Sequence, residues 1–163
     1  MSENIVAEAL KFILPAYCAN AIPVILGGGK PLDFGKNFSD GKPIFGKNKT
    51  FRGFFAGLIV GTLVGLGESY IFGFPRHFGF LLSLGALLGD LAGAFLKRRL
   101  GFAPGAKLLI ADQLDFVFGA FLFSVFVLPP SLIIVLVVVL ITPPLHLSTN
   151  YIAYRLGVKS KPW

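Results

Sequence analysis

Five apolar blocks, at about 4–27, 52–73, 78–97, 107–128 and 131–152, constrain this chain more than any other feature. Each is comparable in length to the ~30 Å hydrocarbon core of a bilayer, which takes roughly 20 helical residues to cross. Hydrophobic residues make up 55% of the sequence, too much in such long blocks for a water-soluble globule to hide. Lipid offers backbone N–H and C=O groups no partner, so blocks of this kind must be helices. The reading is an all-α integral membrane protein with five transmembrane helices. Gly27-Gly28-Gly29, Gly73-Phe74-Pro75, Gly101 to Gly105 with Pro104, and Pro129-Pro130 break the blocks apart. Pro143-Pro144 is expected to kink the last of them.

Charge supplies the orientation. A net charge of +7 would suggest nucleic acid in a soluble protein, but here the basic residues flank apolar spans and read as topology. They lie in the 28–52 loop, in Lys97, Arg98, Arg99 and Lys107, and in Arg155, Lys159 and Lys161 of the tail. Only Lys11 and Arg76, of fifteen basic residues, fall on or toward the other side. Five spans then place the N-terminus outside and both polar loops and the C-terminus in the cytoplasm, in a multi-pass cell-membrane protein. Nucleic acid is not expected as a partner, because the basic patches lack interleaved aromatics or a known module. A cleaved leader is not expected either, since the first block carries Glu8 and Lys11 and has no basic start. The lone Cys18 says nothing of redox compartment.

Acidic residues inside such spans are costly and mark function by default. At 1.5 Å per residue, Asp112 and Asp115 lie roughly 8 and 12 Å along their helix from Lys107, and Asp90 roughly 10 Å from Lys97. Asn20 is about as far from Gly27. Four polar side chains from three spans therefore share one layer beneath the cytoplasmic surface. Glu68 falls near the opposite surface and reads as structural, paired with Arg76 or His77. Glu8 and Lys11, three apart, read as a local ion pair. His146, past the prolines, reads as an interfacial residue rather than a ligand.

Asp112 and Asp115 share a helix face. Two carboxylates there repel unless a positive charge sits between them. A hard cation such as Mg²⁺ takes one or two carboxylates plus waters and substrate phosphates, and Asp90 from the facing helix could complete the set. The bland alternative is carboxylates paired with the nearby Lys and Arg. The segment Gly46-Lys47-Asn48-Lys49-Thr50-Phe51-Arg52-Gly53 offers backbone N–H groups, a hydroxyl and cations just before a helix, which suits phosphate, though it lacks the spacing of a P-loop. A small cation or solute transporter using the Asp90, Asp112 and Asp115 layer is the competing reading.

Taken together, PLDFGKNFSDGKPIFGKNKTFRGFFAG in the first loop, Gly89-Asp90 with Lys97-Arg98, the Asp112 and Asp115 pair and the ending NYIAYRLGVKSKPW resemble the archaeal CDP-archaeol synthase family over nearly the whole chain. The second loop is also similar to a shortened signature of CDP-diacylglycerol synthases. In that signature a Ser stands where this chain has Gly93 or Ala94, and an Arg where it has Gln113 or Leu114. The resemblance implies a single transmembrane catalytic domain over 1–163 that joins CTP to a digeranylgeranyl glycerol phosphate, releasing pyrophosphate, with Mg²⁺ as cofactor. It implies Asp90, Asp112 and Asp115 as metal ligands and catalytic residues with Lys97. Asn20, Lys49, Thr50, Arg52, Gly53, Gly89 and Arg98 would bind nucleotide and phosphate. Oligomeric state stays open.

Overall fold

The computed structural model describes residues 4–103, 106, 108 and 110–159. Pro104, Gly105, Lys107 and Lys161, which carried part of the loop and orientation readings, lie outside the described residues. Five helices follow in order: α1 (Ile5–Leu26), α2 (Phe51–Phe72), α3 (Phe78–Arg99), α4 (Ala111–Ser124) and α5 (Leu132–Arg155). α1, α2, α3 and α5 are long and apolar enough to cross a membrane.

The fourth block departs from its expected 107–128 span. α4 has 14 residues, a length of ~21 Å at the helical rise. Its start is set by Asp112, whose N–H donates to the Leu108 carbonyl (3.0 Å) while its Oδ2 accepts the Leu108 N–H (2.9 Å). That reciprocal turn makes Asp112 part of the helix entry, in the first turn rather than deeper along the helix. At the other end Val125, Phe126 and Val127 turn away ahead of Pro129-Pro130, which cannot extend a helix. α5 runs through Pro143 and Pro144 as one element.

Small residues let the helices touch backbone to backbone. On α2, Gly57, Gly61 and Gly65 form a stripe at four-residue spacing against α1 and α3; a Cβ on Gly65 would lie 2.2 Å from the Gly79 Cα. On α3, Gly85 and Gly89 do the same against Gly119 and Asp115 of α4. Close approach of this kind is how helices gain packing energy where lipid is as apolar as their side chains. Between the stripes lies a core of Phe12, Ile13, Phe78, Leu82, Phe116, Val117 and Val138, with Phe12 meeting Phe78 edge-on at 4.9 Å. α5 buries little, and Leu132, Ile133, Leu136 and Leu140 stay exposed as a surface for lipid.

The Glu8–Lys11 pair is present at 2.6 Å, with the Lys11 ammonium also over the Phe72 ring. Glu68 is different. It is 4% exposed, and neither carboxylate oxygen has a hydrogen-bond partner among the described residues, so the expected pairing with Arg76 or His77 is not made. α2 turns Glu68 into the bundle, on the same side as its glycine stripe, rather than toward the short connector that holds Arg76 and His77.

Candidate active site

The chain between α1 and α2 folds on itself around Asp33. Its Oδ1 accepts the Gly35 N–H (2.9 Å), and its Oδ2 accepts those of Phe45 (3.0 Å) and Gly46 (2.8 Å). Burial raises the Asp33 pKa, but these three donors outweigh it and hold the carboxyl below its ordinary value. Leu32 and Phe51 close the base of the loop through backbone bonds to Lys49 and Lys30. Gly28 and Gly29 enter the loop at φ of 97° and 81°, a region that a side chain would strain. Arg99, at the end of α3, then pins the loop to the bundle. It donates to Asp40 (2.8 Å) and to the Lys42 carbonyl (3.1 Å), and its guanidinium lies over the Phe38 and Phe95 rings.

So anchored, the loop delivers Lys49 and Thr50 to the start of α2. Thr50 caps that helix by accepting the Gly53 N–H (3.1 Å). Lys49 reaches across to α3 and binds Asp90, with its Nζ 2.6 Å from Oδ1. Two turns further along α3, Lys97 holds Asp112 of α4 at 2.8 Å. Both pairs are partly buried, and the charges complement the helix ends: Lys97, Arg98 and Arg99 at the C-terminus of α3, Asp112 in the first turn of α4. Asp115 has no such cation bound to it. Its Oδ1 accepts the Phe116 N–H at 2.6 Å, and its Oδ2 accepts nothing among the described residues. That oxygen occupies the space beside Gly93, where a Cβ would sit 2.1 Å from it.

These groups surround a cavity of about 520 Å³, within the usual range for a small-molecule site. It brings together Asn20, Lys49, Thr50, Asp90, Lys97, Asp112 and Asp115 of the expected set. Arg52, Gly53, Gly89 and Arg98 are not among its lining residues. Gly53 packs against Pro23 and Thr50, and Gly89 against the Asp115 carbonyl. Arg98 is 3% exposed, and its Nε and Nη1 have no partner among the described residues.

The cavity also gains residues that were not expected. Lys47, Asn48 and Gln113 lie next to expected residues in the sequence and could have been included on that ground. His146, Asn150 and Lys159 could not, because their presence depends on α5 packing beside α1. Asn150 Oδ1 accepts the Lys159 Nζ (2.9 Å), which turns its Nδ2 toward His146 Nδ1 (3.0 Å).

Among the described residues no three His, Cys, Asp or Glu side chains converge tightly enough to hold an ion between them. The donor set nonetheless fits a hard cation that takes one or two carboxylates and completes its shell with water and phosphate oxygens. Asp115 has an unengaged oxygen among the described residues, and Asp90 and Asp112 line the same cavity.

Residues 2–163 match the family described as CarS-like, CDP-archaeol synthase. The CDP-archaeol synthase of Pyrococcus furiosus is 47% identical over 97% of this chain and 98% of its own length. That of Methanopyrus kandleri is also 47% identical, over 96% of this chain and 92% of its own length. A solved structure of an intramembrane enzyme for archaeal membrane lipids biosynthesis superposes with a TM-score of 0.83 at 36% identity, covering 89% of this chain and 94% of that one. A polar, mixed-charge cavity set into a multi-pass helical bundle accords with that kinship, and the chain belongs to the CarS-like family of CDP-archaeol synthases.

Proposed function

We propose that this chain, as one transmembrane catalytic domain, transfers CMP from CTP to 2,3-bis-O-geranylgeranyl-sn-glycerol 1-phosphate. An oxygen of the lipid phosphate attacks the α-phosphorus of CTP, the bond from that phosphorus to the β-phosphate bridge breaks, and pyrophosphate leaves. The attacking group is already an anion, so no general base is required. What the protein must supply is position and charge.

The observation that carries this reading is the meeting of three aspartates and four lysines around one cavity at the ends of α2, α3 and α4. Lys47, Lys49, Lys97 and Lys159 exceed Asp90, Asp112 and Asp115 by a single charge. That excess is too small for a triphosphate and a lipid phosphate together, which favours a divalent cation, Mg²⁺, taken by one or two of Asp112, Asp115 and Asp90, with water and phosphate oxygens completing its shell. When bound it would neutralise phosphate charge and favour the leaving pyrophosphate.

Lys49 and Lys97, released from Asp90 and Asp112 as substrate enters, would turn to the phosphates. Thr50 and the first N–H groups of α2 add donors at a helix N-terminus. Asn20 would contact the nucleotide. Arg98 Nε and Nη1, which have no partner among the described residues, support a role at the phosphates or in ordering the connector that follows α3. Arg52, Gly53 and Gly89 support the site by position. The relatives are synthases, which leaves the cation-transport alternative without support.

We also propose five membrane crossings, with the N-terminus outside and the cavity facing the cytoplasm, where CTP is made. Transfer of labelled CMP from CTP into extractable lipid by the purified protein tests the whole reading. Product is expected from the diether phosphate with Mg²⁺ and none with chelator; absence of product from folded protein in both conditions would overturn it.

A further inference from the structure

The loop that carries Lys49 to the cavity also turns a side chain outward. The Lys36 N–H donates to the Asp33 carbonyl (2.8 Å), and between them Phe34 and Gly35 have φ of 53° and 72°. Two successive residues at positive φ are the pattern of a type I′ turn, which Asn, Asp and Gly fit and a bulky side chain strains. Phe34 is the one non-glycine residue at positive φ among the described residues, and it is 66% exposed. An exposed ring does little for the folding of such a turn, and strain of this kind persists where function needs it.

The ring meets Phe51, the first residue of α2, at 5.2 Å between centroids. Phe55, Ile59 and Leu63 follow Phe51 at four-residue spacing and are exposed, a row that faces lipid when α2 spans a membrane. The 22 residues of α2 rise ~33 Å, close to the ~30 Å hydrocarbon core, which puts Phe51 at the boundary between hydrocarbon and water. Phe34 therefore continues the lipid-facing row of α2 into the headgroup layer, the depth at which anchoring aromatic rings sit.

Charge around the ring has one sign. The segment 28–52 contains two acidic residues, and both are engaged: Asp33 by three backbone N–H groups, Asp40 by Arg99. Lys30, Lys36 and Arg52 are exposed, and their side chains make no hydrogen bond or ion pair among the described residues. All three adjoin the aromatic pair. Lys36 closes the turn, the Lys30 carbonyl accepts the Phe51 N–H, and Arg52 follows Phe51. An apolar partner would leave these cations uncompensated, and a soluble anion would leave the ring in water. An anionic lipid surface satisfies both.

We propose that the Asp33–Lys36 turn is a membrane anchor. The Phe34 ring sits among the headgroups of the leaflet on the cavity side, and Lys30, Lys36 and Arg52 lie against the phosphates of anionic phospholipid. The anchor requires α2 to cross the bilayer and is independent of the reaction performed in the cavity. It shares its base with the site, through the Leu32 N–H to the Lys49 carbonyl (2.8 Å) and the Phe51 N–H to the Lys30 carbonyl (3.1 Å). Lipid that fixes the turn therefore fixes the height of Lys49 and Thr50.

Two measurements on the full-length protein in nanodiscs test the anchor. In a Trp163→Phe background, which removes the chain's one tryptophan, Phe34→Trp should lose emission to phospholipids brominated near the top of their chains and resist quenching by aqueous iodide. Quenching by iodide alone would leave the turn in water. Shielding from both quenchers would mean that protein, a second copy of the chain included, covers it. Either result overturns the proposal.

The second measurement compares protease cleavage within residues 34–48 in discs of phosphatidylglycerol and of phosphatidylcholine. Wild type should be cleaved about fivefold or more slowly in the anionic discs, the effect of at least one basic residue at a charged surface. Lys30→Gln with Lys36→Gln should remove most of that difference. Phe34→Asn should shrink it too, while the unfolding midpoint in neutral detergent stays the same or rises, because Asn suits the left-handed turn. Equal cleavage of wild type in the two discs would sink the lipid contact. A Phe34→Asn protein with a lower midpoint, cleaved faster by the same factor in both discs, would make Phe34 a packing partner of Phe51 and nothing more.

Discussion

Asp112 and Asp115 share a helix face but do different work. Asp112 is tied down on both oxygens, by Lys97 and by the Leu108 N–H, whereas Asp115 keeps one oxygen open beside Gly93. Asn at either position preserves size and one acceptor oxygen, removes the charge and puts an NH2 donor in place of the second oxygen. Asp112→Asn and Asp115→Asn are therefore expected to fold and to lose about 10²–10³-fold in kcat, the scale of removing one electrostatic contact to a developing charge. Single-turnover CMP transfer read beside a thermal unfolding midpoint checks it; near-normal turnover would remove that residue from the site. Gly93 needs no such test to be understood. The Ser found in this segment of the wider signature would meet the Asp115 carboxylate here, so a bare backbone fits. Glu68 invites the opposite prediction. A buried polar group without a partner costs roughly 1–3 kcal/mol, so Glu68→Met should raise the unfolding midpoint or leave it unchanged. A fall of several degrees would show that the carboxylate is engaged after all.

The loop from Gly27 to Thr50 is the element on which the site most depends, and Asp33 is its organiser. Because the folded-state carboxyl titrates below its unfolded value of about 3.9, the charged form is what the fold favours. Its contribution is complete above the unfolded pKa and disappears as pH falls through the folded one. Protease cleavage within residues 34–48 should therefore stay slow down to about pH 4 and then accelerate, before the helices unfold. Asp33→Asn should show fast cleavage already at neutral pH. Equal protection of variant and wild type at neutral pH would assign the loop's order to Arg99 instead. Much of this element was legible, because the turn residues and the Lys49-Thr50 entry to α2 are local signals. α1, α2 and α3 also began and ended close to where glycine, proline and charge placed them. The fourth block was placed correctly but drawn about a turn too long at each end, because hydropathy alone cannot tell a buried helix from the turns that flank it. The Leu108–Asp112 exchange that starts α4 uses a carboxylate that had been read as a metal ligand or an ion-pair partner, not as a helix start. The polar stretch with His146 and Asn150 was legible as returning toward the cytoplasmic layer, but its entry into the cavity was not. Their place in the site follows from the Tyr17–Thr142 bond between α1 and α5, a contact across 125 positions that no local pattern encodes.

For the molecule as a whole the open physical question is how a 14-residue α4 shares a bilayer with four longer helices. Its ~21 Å falls short of the ~30 Å hydrocarbon core. The shortfall lies where the described polar groups gather, at the end that starts with Asp112. If the cavity is water-filled, irregular backbone before Ala111 is tolerated at membrane depth, because it lines that cavity and not lipid. In the proposed topology the bundle would then cross five times, with a bite taken out of one side in which the nucleotide would sit below the level of the bilayer surface. Positive charge concentrated around that opening favours its placement in the cytoplasm. In a Cys18→Ser background, a cysteine at Ser39 in the first loop should react with an impermeant maleimide in inside-out vesicles and stay protected in right-side-out ones. A cysteine at His77, in the α2–α3 connector, should do the reverse. Reaction of both from the same side would mean that α2 does not cross. The opposite pattern would turn the cavity away from CTP, which the proposed chemistry could not survive.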